Sequence, residues 1–111
     1  MKGLTPQETA AVKAFQERVI QLFGKDQIKQ CVLFGSRARG EGNEVSDVDL
    51  LVLTTEAVVP QRGKIFEIAG DILVEYDIDV SPLVFSERQF QSLRQRERLL
   101  AEEIDRDGRP L

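Results

Sequence analysis

The chain has no histidine and a single cysteine in 111 residues. Without imidazole there can be no Ser-His-Asp triad, no Cys-His pair and no His-ligated zinc centre. Acid–base chemistry therefore falls mainly to carboxylates. With only Cys31 there is neither an internal disulfide nor a cysteine cluster for zinc, which fits a reducing, cytoplasmic address. Long apolar runs are missing too. Stretches such as Leu50–Leu53 fall far below the roughly 20 residues a membrane-spanning helix needs. The N-terminal decapeptide holds Pro6 and Glu8 where a signal peptide would be apolar, so no export is expected. Positive charge is in deficit, with 15 Lys and Arg against 19 Asp and Glu and a net charge of −4. That balance disfavours nucleic acid as a direct substrate, because such binding neutralises many phosphates with cationic side chains.

The 41% hydrophobic and 31% charged residues suit one small core, and a single domain over residues 1–111 is expected. Thr5-Pro6-Gln7-Glu8 is a capping box with proline at the first helical position. Val12, Phe15, Val19, Leu22 and Phe23 follow at helical spacing, and Gly24 supplies a stop, which predicts a helix over 6–23. The apolar run 28–34 reads as a buried strand, and 47–53 reads as a second strand that opens with two acids. A helix is expected from about 60 to 76, with Ile65, Ile68, Ala69, Ile72, Leu73 and Tyr76 on its apolar face. Residues 78–85 form a third strand, which Pro82 assigns to the sheet border. Ser86 and Gln89 open a last helix ending near Gly108. The expected class is α/β (α+β), in the order αβ(loop)βαβα, with a small three-stranded sheet covered by helices.

Asp47 and Asp49 are two apart on a strand, so their side chains leave one face, about 6 to 7 Å apart at the backbone. Two carboxylates brought to ~4 Å repel by about 4 kcal/mol at an effective dielectric near 20, a cost that a divalent cation reverses. Oxygen ligands alone favour Mg2+, with Mn2+ as the other choice. Asp79 on the next strand is the expected third carboxylate and is preferred over Asp77, which falls at the strand boundary. Gly35 and Ser36 sit where a strand gives way to a turn, so backbone amides and a hydroxyl can face an anion. Arg37 and Arg39 add positive charge beside that turn. A nucleoside triphosphate chelated to magnesium accounts for the whole set.

The residues Phe34-Gly35-Ser36-Arg37-Ala38-Arg39-Gly40, then Ser46-Asp47-Val48-Asp49-Leu50-Leu51-Val52, then Ile78-Asp79-Val80, resemble the signature of the polymerase β-like nucleotidyltransferase superfamily. More narrowly, nearly the whole chain is similar to the minimal nucleotidyltransferases. The resemblance implies a palm-like fold with a mixed sheet, in which Asp47 and Asp49 bind two metal ions, Asp79 binds one, and Asp79 accepts the acceptor's proton. It also implies nucleotide contacts from Gly35, Ser36, Arg37 and Arg39. Similarity to the antitoxins paired with HEPN-domain ribonuclease toxins implies AMP transfer from ATP to a hydroxyl on such a partner. The competing reading is a binding antitoxin that masks its partner by contact. A glycosyltransferase reading of Asp-Val-Asp leaves Gly35-Ser36 without a role. Cys31 is assigned to the core, and the Arg- and Glu-rich segment 94–106 to a solvated helix face.

Overall fold

A computed structural model describes residues 3–35 and 47–111. Helix α1 (Pro6–Phe23) starts where Thr5 Oγ1 accepts from the Glu8 amide at 3.1 Å, while the Thr5 amide donates to Glu8 Oε1 at 2.8 Å. Gly24 ends it at φ 90°, its amide donating to the Ile20 carbonyl. Strand β1 (Ile28–Phe34) runs antiparallel to β2 (Val48–Thr54). A short 3-10 turn (Val59–Gln61) and helix α2 (Gly63–Tyr76) carry the chain across the sheet to β3 (Val80–Ser86). Strand β3 pairs parallel with β2, as a helical crossover permits. Helices α3 (Glu87–Arg96) and α4 (Arg98–Asp107) follow, and β4 (Arg109–Pro110) pairs antiparallel with β1. The order β3-β2-β1-β4 puts Pro82 on a border strand, as its missing N–H requires.

Side chains alternate across this mixed sheet and split the core in two. Cys31, Leu33, Leu50 and Val52 pack beneath α1 and α2, against Phe15, Val19, Ile65 and Ile72. Val32, Phe34 and Leu51 face the other way, against Phe90 and Leu93 of α3 and Ile104 of α4. Burial pushes the Cys31 thiol up to about 11, so at neutral pH it stays protonated in the core and serves packing.

Three sequence expectations need correction. The sheet has four strands instead of three, because residues 109–110 add a border that is too short to leave a periodic pattern. The last helix is two helices, broken at Glu97 where the backbone leaves helical geometry at φ −127°, ψ 72°. In an unbroken helix Arg94 and Asp105 would stand about 16 Å apart. The break folds α4 back, so the Arg94 guanidinium grips both oxygens of Asp105 while also lying 4.7 Å over the Phe90 ring. Lastly, Leu73 belongs to the outer surface of α2 and not to its core face.

The α3 start has the clearest local cause. Ser86 is fully enclosed; its Oγ accepts from the Gln89 amide at 3.0 Å, and its own amide donates to Gln89 Oε1 at 3.1 Å. Ser86→Ala is expected to cost about 1 kcal/mol of unfolding free energy, read from the shift in urea midpoint at unchanged slope.

Candidate active site

The acids gather at one end of the sheet because of strand register. Val48 lies opposite Val80 in the parallel pair, and the Val48 amide donates to the Asp79 carbonyl at 3.0 Å. Asp47 and Asp79 therefore precede neighbouring strands side by side, close enough for their carboxyl groups to share a hydrogen bond. Asp49, one pleat further along β2, shares a face with Leu51, which is the face covered by α3 and α4. Asp77 has a different role. It terminates α2 in the left-handed region at φ 56°.

Gly35 closes the arrangement. It is buried at the end of β1, beside the Phe34–Asp49 pair, with φ 77°. A β-carbon there would lie 2.5 Å from Asp49 Oδ2, so only glycine leaves that carboxylate its place. Ser36, Arg37 and Arg39 lie outside the described residues.

Asp49 and Asp79 hold their protons more tightly than isolated carboxylates do. Desolvation raises the pKa of half-buried Asp49 first, then the charges of Asp47 and Glu103 raise it further. Asp79 lies at the surface; partial desolvation, the Asp47 charge and the hydrogen bond with Asp47 all push its pKa up. Glu103 is the residue that sequence reasoning missed. It was assigned to a solvated helix face, and nothing near it in sequence hints that the break at Glu97 brings α4 within electrostatic reach of Asp49.

Among the described residues, no three carboxylates or thiols are grouped so that together they could hold a metal ion. Magnesium does not require one. It is usually held by one or two carboxylates, with waters and substrate phosphates filling the octahedron. The carboxylate oxygens of Asp47 and Asp79 side by side, with Asp49 on the same face beside a glycine that leaves its carboxylate room, fit such a cation. A cavity of about 310 Å³ lined by Val32, Leu51, Phe90 and Arg94 opens on the same sheet face as Asp49, though none of Asp47, Asp49 and Asp79 lines it.

Residues 17–111 match the family described as "Polymerase beta, Nucleotidyltransferase". The chain is a nucleotidyltransferase of the polymerase β family. It is similar to the MJ0141 protein of Methanocaldococcus jannaschii, provisionally named a protein adenylyltransferase, at 37% identity over 75 residues, covering 67% of this chain and 75% of that protein. A solved structure provisionally described as a minimal nucleotidyltransferase superposes with a TM-score of 0.59 at 27% identity, over 96% of this chain and 97% of the other. A toxin–antitoxin structure with AMP-PNP shares the fold, with a TM-score of 0.52 at 22% identity over 86% and 70% of the two chains. The resemblance to minimal nucleotidyltransferases seen in the motifs thus extends to the fold of this nucleotidyltransferase. Among its described residues, no helix is long and apolar enough to cross a membrane.

Proposed function

We propose that this nucleotidyltransferase moves AMP from ATP to a hydroxyl group of a protein partner, as the antitoxin of a pair whose toxin is a HEPN-like ribonuclease. One observation carries the reading most: Asp47 and Asp79 meet at the starts of adjacent parallel strands, with Asp49 on the same face against Gly35. The adenylyltransferase name of the M. jannaschii relative and the toxin–antitoxin context of a structural neighbour support the choice of a protein acceptor.

Asp47 and Asp49 would hold two divalent cations, and Asp79 one of them. Bound there, Mg2+ supplies charge neutralisation for the triphosphate and for the developing acceptor oxyanion. The chain's own groups do the rest. Gly35 lets a phosphate approach the main chain, and Ser36, Arg37 and Arg39 are assigned to the triphosphate. Asp79 takes the acceptor hydroxyl's proton, a role suited to a carboxylate of raised proton affinity. The acceptor oxygen then bonds to the α-phosphorus in line, the bond from that phosphorus to the bridging β-oxygen breaks, and pyrophosphate leaves with the electron pair. Such catalysis is mainly positioning and electrostatics.

Incubation with α-labelled ATP, Mg2+ and the partner is expected to label the partner on a base-labile or acid-stable O-linked site that mass spectrometry reads as added AMP. No label from any of the four ribonucleoside triphosphates would overturn the reading.

A further inference from the structure

Helix α2 leaves an apolar stripe in water. Phe66 is 46% exposed, Leu73 43% and Val74 84%, and with Gly63 and Gly70 they fall on one side of the helix by the 3.6-residue period. The adjoining side is the buried one, with Ile65, Ala69 and Ile72. Glycine in a helix is unfavourable, and here the fold does not call for it: a β-carbon at Gly63 or Gly70 would meet nothing within 4 Å. A close approach from outside the chain gives both glycines a use.

The charges on α2 are set against its own dipole. Arg62 and Lys64 stand at the amino end, where no acid occupies the first turn and no side chain caps the free amides. Glu75 and Asp77 stand at the carboxyl end, where no base occupies the last turn. A helix prefers the reverse. Within the chain only Glu75 has a cation beside it, Arg18 of α1, among the described residues. An antiparallel copy of the same helix resolves the conflict, because the basic amino end of each then meets the acidic carboxyl end of the other.

We propose that α2 is a self-association surface, on which two copies of this chain pair antiparallel about a two-fold axis at Gly70. Gly70 then faces the partner's Gly70, Phe66 packs on the partner's Val74, and Arg62 reaches the partner's Asp77. An isologous contact of this kind needs a patch complementary to itself, and the stripe with its opposed charged ends is one. The acids of the active site lie on the other face of the sheet, so pairing leaves both sites open.

Sedimentation equilibrium and light scattering on the full chain test this. The wild type is expected at twice the mass of one chain. Gly70→Lys, which fills open space within the chain, is expected to weaken the dimer at least tenfold while keeping the native circular dichroism spectrum. Arg62→Glu and Asp77→Lys are each expected to weaken self-association, and their equimolar mixture to restore a dimer, since the two variants complement each other at both ends. A wild type monomeric at every concentration would overturn the proposal, including one whose α2 amides become protected only when a different protein is added. So would a Gly70→Lys dimer of unchanged affinity, or a mixture no tighter than its components.

Discussion

Asp49→Asn is expected to lower nucleotidyl transfer by about a thousandfold and to leave the protein at least as stable as the wild type. The first half follows from charge. In the proposed role Asp49 would hold a cation, and such a carboxylate underlies several kcal/mol of transition-state stabilisation, each ~1.4 kcal/mol being tenfold in rate. The second half follows from the sign of the proton shift. The Asp49 pKa is raised in the folded chain, by desolvation first and then by Asp47 and Glu103, so at neutral pH ionisation is harder in the fold than in the unfolded chain. The ionised carboxylate therefore destabilises the native state near pH 7, and that penalty disappears as pH falls through the raised pKa. Asparagine removes it at every pH. Paired measurements of labelling and thermal midpoint check both halves. A variant that loses activity together with several degrees of thermal midpoint would make Asp49 a structural residue. If Asp49→Asn instead neutralised a toxic partner as fully as wild type while transferring nothing, masking by contact would replace catalysis as the antitoxin mechanism.

Such a separation of activity from stability is characteristic of sites where like charges are gathered for a ligand. The acids could be read from sequence because each lies at the start of a β-prone run, where alternation fixes the face. The first helix and first strand were legible to the residue, since Thr5, Pro6, Glu8 and Gly24 are local signals that need no tertiary help. What escaped depends on distant neighbours. Leu73 fits the helical period as well as Ile72 does, and only the direction from which the sheet approaches α2 decides between them. The break at Glu97 has no glycine or proline to announce it; the need to bring both Leu93 and Ile104 onto one sheet face produces it. Glu103 reaches Asp49 through that same break. The preference for Asp79 over Asp77 comes from its place in the β-prone run; the parallel register sets Asp79 beside Asp47, and Asp77 ends α2.

Gly35→Ala should disable the enzyme without touching a carboxylate. Two separate effects act at this position. At φ 77° an alanine backbone is strained by roughly 1–2 kcal/mol, and the new β-carbon would lie 2.5 Å from Asp49 Oδ2 and 3.4 Å from its Cγ. Asp49 must swing away, and a displacement approaching 1 Å at a reacting site costs about a hundredfold in rate. Gly24→Ala separates the two effects. Gly24 has a similar φ of 90°, yet a β-carbon there meets nothing within 4 Å, so that variant carries the backbone strain alone. Both variants should lose stability in urea, while only Gly35→Ala loses transfer activity. Equal activity in the two would mean that Asp49 is free to sit elsewhere during turnover, and that the contact between Gly35 and Asp49 does not set the geometry of the reaction.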